Sequence, residues 1–87
     1  MYENKATVLK PVGLHARPAT FLIQKANEFK SSIWIEKDER RVNAKSLLGV
    51  LSLGVAKDTT INIIADGPDE IEAVDSLCAL ISTDFAE

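Results

Sequence analysis

The chain has one cysteine and one histidine among its 87 residues, and no long apolar run. A single cysteine forms no internal disulfide, and Cys78 falls on an apolar helical stripe, so we predict a buried, inert thiol in a reducing compartment. One histidine and one cysteine far apart in the chain predict no metal site. No segment approaches the ~20 apolar residues that span a membrane, so we predict no membrane insertion.

The start of the chain and its charge exclude further classes. Residues 2–5 are polar and provide no apolar signal-peptide core, so we predict a cytoplasmic protein. The net charge of −3 lacks the basic excess that is typical of nucleic-acid-binding proteins. With 46% hydrophobic and 26% charged residues, the composition predicts one globular domain over residues 1–87, which we expect to be a monomer without a cofactor.

Charge is distributed unevenly along the chain. Basic residues concentrate in the first half, at Lys10, Arg17, Lys25 and the group Arg40, Arg41 and Lys45. Acidic residues crowd the last third, at Asp66, Asp69, Glu70, Glu72 and Asp75. This asymmetry indicates either an anionic partner for the basic surface or only the solvation of exposed faces.

Hydrophobic periodicity predicts the order β-α-β-β-α-β-α. The strands are expected at 4–9, 33–35, 41–44 and 60–65, and the helices at 16–29, within 47–54, and after a cap at Asp69 that pairs with Glu72. A helical crossover makes the first two strands parallel, and the last strand can insert between them, antiparallel to both. We therefore predict an α+β fold, an open-faced β-sandwich with a four-stranded antiparallel sheet and three helices on one face.

The same periodicity selects the residues of the core. The inward stripes of the first and last helices are predicted to be Ala19, Leu22, Ile23, Ala26 and Phe29, and Ile71, Val74, Leu77, Cys78 and Ile81. If Ile33 and Ile35 face the helices, Trp34 points to the other side of the sheet, where it either shields the open face or marks a binding surface.

The segment Gly13-Leu14-His15-Ala16-Arg17-Pro18-Ala19 carries the chemistry. Proline is tolerated in the first turn of a helix, so Pro18 places the helix start close upstream and makes His15 the predicted N-cap. The backbone amides of Ala16 and Arg17 are then free to bind an anion, and the Arg17 guanidinium can neutralise a phosphoryl group on the imidazole. Taken without the surrounding residues, His15 and Arg17 also fit a histidine that only caps the helix, beside an arginine that is only solvated.

A second motif begins at Ser46, the predicted N-cap of a short helix that Gly54 ends. Its leucines and valine are too many for one buried stripe. We predict that Val50 and Leu53 are buried, and that an exposed apolar patch is formed by Leu47, Leu48 and Leu51.

The histidine segment resembles the active-site signature of the HPr family, the histidine-containing phosphocarriers of the bacterial phosphoenolpyruvate:sugar phosphotransferase system. The resemblance covers essentially the whole chain, including the segment Lys45-Ser46-Leu47-Leu48-Gly49-Val50-Leu51-Ser52-Leu53-Gly54. It implies that His15 accepts a phosphoryl group on Nδ1 from enzyme I and passes it to enzyme IIA domains, with Arg17 assisting. Such a protein is a phosphoryl acceptor and donor, not an enzyme.

The resemblance also implies regulation and docking. Ser46 matches the target of an ATP-dependent, serine-directed HPr kinase/phosphorylase, whose product binds a catabolite-control transcription factor. By the same resemblance, the residues expected to contact enzyme I and enzyme IIA are Thr20, Leu47, Leu48 and Leu51. Many family members carry methionine at positions 48 and 51, where this chain has the less adaptable leucine.

Other functions fit parts of the pattern. A purely regulatory paralogue is one alternative, although relatives so specialised lack the histidine that this chain has at position 15. A nitrogen-branch paralogue is another, and the Ser46 segment favours the carbohydrate branch instead. A small hydrolase of the acylphosphatase type would need a second catalytic group to position water, and the sequence offers none.

Overall fold

The computed structural model describes residues 1–8, 16–54 and 59–82, including all side chains there except those of 16–18 and 82. Its elements are β1 (Tyr2–Thr7), α1 (Ala16–Ala26), β2 (Ser32–Lys37), β3 (Arg40–Asn43), α2 (Leu47–Ser52), β4 (Thr60–Asp66) and α3 (Glu70–Ser82). The order β-α-β-β-α-β-α is as predicted. In these three ranges, no helix has the length and apolar character needed to cross a membrane.

The four strands form one antiparallel sheet in the order β1-β4-β2-β3. The predicted insertion of the last strand between the first two is confirmed, because β4 pairs with β1 on one side and with β2 on the other. Ile63 of β4 lies opposite Asn4 of β1 and Ile35 of β2. The α+β class and the open-faced sandwich are therefore correct.

The hydrophobic core lies between one face of the sheet and the three helices. Alternate strand residues meet the inward residues of the helices there, in a cluster that includes Ala6, Ile33, Ile35, Ile61, Ile63 and Ala65 with Ala19, Leu22, Ala26, Val50, Val74, Leu77 and Ile81. Ile64 is also buried but lies outside this cluster. Its cross-strand partner is the half-buried Trp34, which places both on the opposite face, as predicted for Trp34.

Helix α1 ends at Ala26, three residues before the predicted end. Both the backbone N–H and the side-chain Nδ2 of Asn27 donate to the carbonyl of Ile23, at 2.9 Å each. The next two amides, of Glu28 and Phe29, bond to carbonyls only three residues back, which closes a tight turn. Phe29 still packs against the core from this turn.

The strand limits differ from the predicted ones by two residues or fewer where the structure describes them. Strand β1 covers Tyr2–Thr7 and not 4–9, and residue 9 lies outside the described part of the chain. Strand β3 begins at Arg40 because the hairpin loop uses only Asp38 and Glu39, with φ of 52° and 69°. Two consecutive residues of positive φ match the twist of the flanking strands.

Asp69 directly precedes α3, and its carbonyl accepts from the Ala73 amide at 2.9 Å, so the predicted position of the cap is right but its predicted pairing with Glu72 is wrong. The carboxylate of Asp69 accepts hydrogen bonds from the backbone amides of Lys30 and Ser31, at 2.9 and 3.0 Å, and from the Ser31 hydroxyl. The bond from the Ser31 hydroxyl is the main reason that the pKa of Asp69 is lowered. Glu70 makes the reciprocal contact near the helix start instead, since its Oε1 accepts from the Gly67 amide at 3.0 Å.

Two residues of the predicted α3 stripe are not in the core. Ile71 is 57% exposed, because the buried face of α3 passes through Ala73, Val74, Leu77 and Ile81. Cys78 is half-buried and not fully buried, and its thiol donates to the carbonyl of Lys5 at 3.9 Å. Burial raises the pKa of this thiol, which keeps it protonated.

Candidate functional site

The helix that follows the histidine segment begins where the sequence predicts. Helix α1 starts at Ala16, the residue after His15 in the chain, and Pro18 lies in its first turn. The first turn carries no acidic residue, and the leading amides of a helix have no intrahelical partner. His15 and the side chain of Arg17 lie outside the described part of the structure, so the predicted cap and phosphate contacts remain predictions.

Helix α1 packs against α2, so the helix next to His15 in the chain lies beside the one that carries the second motif. Thr20 is exposed on α1. Leu47 and Leu48 are the exposed leucines of α2, at 43% and 81%. We call these two leucines the α2 docking patch, after the role that the sequence predicts for them.

The predicted burial of the other apolar residues of α2, and of Leu53 directly after it, is partly right. Val50 and Leu53 are buried, at 0% and 5% exposure, as expected. Leu51 is half-buried and packs against the core, so its predicted place in the exposed patch is wrong. It follows the fully buried Val50 by about 100° around the helix and therefore lies at the boundary of the inward face.

Ser46 caps α2 as predicted. With φ of −110° and ψ of 118°, its backbone is extended, and its Oγ accepts a hydrogen bond from the Gly49 amide at 3.2 Å. Its own carbonyl accepts from the Val50 amide at 3.0 Å, the first helical bond. Ser46 is half-buried, so the residue that caps the helix is partly exposed to solvent.

The residues before the cap hold it in place. The Ser46 amide donates to the carbonyl of Asn43 at 3.1 Å, and the Asn43 side chain accepts from the Lys45 amide at 2.8 Å. The Lys45 ammonium donates to the carbonyl of Phe29 at 2.8 Å, in the turn after α1. Lys45 thus links the start of α2 to the end of α1.

The other end of α2 is held by the β2–β3 hairpin. Lys37 Nζ donates to the carbonyls of Leu53 and Gly54, at 3.1 and 3.3 Å. The Arg40 guanidinium donates to the carbonyl of Ser52 at 3.0 Å and to its hydroxyl at 3.2 Å. Gly54, with φ of 63°, ends the helix as predicted.

The structure therefore separates the basic group that the sequence suggested. Arg40 reaches the end of α2, whereas Arg41 lies 4.0 Å from Glu36 in an ion pair, and Lys45 bonds to Phe29. Sequence reasoning missed the part that Lys37 takes. For Arg40 and Arg41 the sequence did contain a signal. Neighbouring strand residues face opposite sides of a sheet, so these two side chains are expected to lie apart. Within the described ranges, no group of three or more His, Cys, Asp or Glu could hold a metal ion.

Known proteins resemble this chain over nearly its whole length. The family model described as "PTS HPr component phosphorylation site" matches residues 2–83. The HPr-like protein Crh of Halalkalibacterium halodurans is 47% identical over 81 residues, which cover 93% of this chain and 96% of that protein. The phosphocarrier protein HPr of Neisseria meningitidis serogroup B is 40% identical over 87 residues, covering 100% of this chain and 98% of that protein.

Solved structures agree with the fold. HPr-C-His from Thermoanaerobacter tengcongensis has a TM-score of 0.95 at 45% identity, covering 100% of this chain and 98% of that one. An HPr dimer from the same organism has a TM-score of 0.79 at 45% identity and covers both chains completely.

Proposed function

Because the chain belongs to the HPr family, whose members are phosphocarriers and not themselves enzymes, we propose that it carries phosphoryl groups on His15 for sugar uptake. The observation that carries this proposal is the position of His15, directly before α1 in a segment that the family model covers. Pro18 in the first turn and the absence of an acidic residue there suit a site that receives an anion.

The proposed chemistry is a pair of phosphoryl transfers. The lone pair of the neutral His15 Nδ1 attacks the phosphorus held by enzyme I, and a P–N bond forms while the bond to the donor breaks with its electron pair. A histidine of an enzyme IIA domain then attacks the same phosphorus, and the His15 bond breaks. Positioning and charge neutralisation carry most such catalysis, which gives roles to Arg17 and to the amides of Ala16 and Arg17.

The α2 docking patch supports partner binding beside this site. Leu47 and Leu48 expose apolar surface on a helix that packs against α1, and Thr20 is exposed on α1. Enzyme I and enzyme IIA domains would contact this surface. We further propose one cytoplasmic domain over residues 1–87 that acts as a monomer, and the dimer of a relative gives the alternative state.

Labelling with phosphoenolpyruvate and enzyme I tests the carrier function. We expect one phosphate that is labile in acid and stable in base, on the parent protein but not on His15→Ala. Equal thermal melting of the two proteins controls for folding. Label that persists in His15→Ala, or a parent protein that takes none while a known HPr does, would contradict the proposal.

A second function, regulatory control through Ser46, is favoured by similarity to Crh, which in Bacillus subtilis is described as the catabolite repression HPr. The Crh of Halalkalibacterium is 47% identical to this chain, whereas the Neisseria HPr is 40% identical. An ATP-dependent HPr kinase/phosphorylase would phosphorylate Ser46, and the product would bind a catabolite-control transcription factor. The phosphate would meet the free amides of the first turn of α2 and would add a charge of about −1.5 to −2. That charge would repel an acidic docking partner.

Labelling with ATP and this kinase separates the two functions. We expect acid-stable phosphate on the parent and on Ser52→Ala, and none on Ser46→Ala. Labelling at Ser46 without labelling at His15 would indicate a purely regulatory paralogue. Labelling at neither residue by these partners would leave a nitrogen-branch role as the remaining alternative.

A further inference from the structure

The hairpin places two cations where they should repel each other. Lys37 and Arg40 are directly opposite in the register of β2 and β3, on either side of the two-residue loop. Like charges directly across a strand pair destabilise a sheet. Both side chains point instead to carbonyls at the C-terminal end of α2: Arg40 to that of Ser52, the last helical residue, and Lys37 to those of Leu53 and Gly54, the two residues that follow.

Helix α2 needs such support from outside. It has only six residues, far fewer than an isolated helix needs to be stable in water, and it has no basic residue of its own in the last turn. The negative end of a helix favours cations, and charged donors make the stronger hydrogen bonds. Lys37 and Arg40 supply both from a neighbouring element, and the Ser52 hydroxyl extends the contact by donating to the Gly49 carbonyl at 2.7 Å.

We propose that Lys37 and Arg40 are positioning residues that hold α2, and with it the α2 docking patch, in the orientation that partner proteins bind. This inference rests on the proposed carrier function. The two side chains act through the helix and not by touching the partner. Because affinity falls with the fraction of molecules in the competent conformation, a loosened α2 should weaken docking without changing the transfer step.

Two double variants of equal charge test the proposal. Lys37→Met/Arg40→Met removes the contacts to α2. Lys5→Met/Arg41→Met removes two positive charges elsewhere, since Lys5 is an exposed residue of β1 and Arg41 pairs only with Glu36 among the described residues. Both double variants lose two positive charges, so an effect of net charge on association with enzyme I should be equal in the two.

The measurements are amide hydrogen exchange and the kinetics of phosphoryl transfer from enzyme I. For the Lys37/Arg40 variant, the amides of Val50, Leu53 and Gly54 should exchange about tenfold faster, and those of β4 should be unchanged. Its KM should rise about twofold or more relative to the Lys5/Arg41 variant, at equal kcat. The swap Lys37→Arg/Arg40→Lys keeps both charges and donors, so it should behave as the parent does, and it remains informative if the methionine variant does not fold.

Three results would overturn the inference. Equal rises of KM in both double variants would assign the effect to charge alone. A higher KM without faster exchange in α2 would mean that Lys37 or Arg40 contacts the partner directly, and faster exchange with an unchanged KM would mean that the contacts are only structural. A parent protein that enzyme I does not phosphorylate refutes the carrier function, and hydrogen exchange then still decides whether these residues hold α2.

Discussion

Two replacements of Ser46 should rank oppositely in stability and in function: Ser46→Ala should lower the stability of the fold, and Ser46→Asp should weaken phosphoryl transfer. Ser46→Ala removes the acceptor for the Gly49 amide, a bond of 3.2 Å at the long end of the usual range. Because the residue is half-buried and the bond is long, we expect the free energy of unfolding to fall by about 1 kcal/mol, in the middle of the N-cap range. For a chain of this size, the melting temperature should fall by about 4–8 °C.

Ser46→Asp keeps the acceptor and adds a negative charge at the start of α2. Aspartate is as good an N-cap as serine, and the positive end of the helix favours its charge, so stability should stay within about 0.5 kcal/mol of the parent. The same charge lies next to Leu47 of the α2 docking patch. Phosphoryl transfer from enzyme I should therefore show a higher KM for Ser46→Asp, whereas Ser46→Ala should transfer as the parent does.

The assay pairs thermal melting with transfer kinetics at two salt concentrations. The rise in KM for Ser46→Asp should shrink at high salt, because the Debye length falls from about 10 Å at 0.1 M to about 3 Å at 1 M. If Ser46→Asp is as unstable as Ser46→Ala, the cap does not act through its acceptor atom. If both variants have the same KM, the charge at this position does not affect docking.

Three further changes probe other parts of the molecule. Leu48→Ser should raise the KM for enzyme I with a stability change below about 0.5 kcal/mol, because Leu48 is 81% exposed. Gly67→Ala should lower the free energy of unfolding by about 1–3 kcal/mol in chemical denaturation, since its Cβ would lie 2.7 Å from the Cα of Ser31. Asp69→Asn should destabilise the protein at neutral pH, and its difference from the parent should vanish in acid. The bond from Ser31 lowers the pKa of Asp69 from 3.8, so its stabilisation is complete above that pH and is lost as pH falls through the lowered value.

Each of these changes has a matched control in the chain. Ile71→Ser is the control for Leu48→Ser, because Ile71 is also an exposed aliphatic residue but lies on α3. An equal rise of KM in both variants would contradict a specific role for the α2 docking patch. Gly54→Ala introduces a Cβ at φ of 63° with no atom within 4 Å, so it isolates backbone strain from the clash expected at position 67. Asp75→Asn removes an exposed carboxylate of α3 and serves as the control for loss of one negative charge at neutral pH.

Local sequence patterns were sufficient for the elements and their arrangement, but not for contacts between distant segments. The helical crossover, which makes the first two strands parallel and leaves room between them, predicted where β4 lies. Asp69 reads locally as a helix cap, yet its partner Ser31 is 38 residues away, and no local pattern reveals that preference. The side chain that bonds to the backbone near the start of α3 is that of Glu70, which accepts from the Gly67 amide.

The same limit applies to the candidate site. Ser46 could be predicted as a cap because its partner, Gly49, is three residues along the chain. The positions of Lys37 and Arg40 depend on how the hairpin lies against α2, with Arg40 bonding to a residue 12 positions away. The burial of Leu51 was predicted wrongly because it lies between the buried and the exposed face of α2. In a helix of only six residues, the neighbouring elements decide whether such a residue is buried.

The two ends of α2 suggest two independent ways of controlling one docking surface. At the N-terminal end, Ser46 provides its own acceptor, so a phosphate there would replace one acceptor by a stronger one and would leave the helix in place. The phosphate would instead act on the approaching partner protein, by electrostatic repulsion. At the C-terminal end, the acceptors are the carbonyl of Ser52 and those of the residues that end the helix, and the donors belong to the hairpin, so the loss of Lys37 or Arg40 would loosen the helix itself. A combined Ser46→Asp and Arg40→Met variant should therefore show additive losses of docking free energy, because one change alters the partner's approach and the other alters the population of competent molecules.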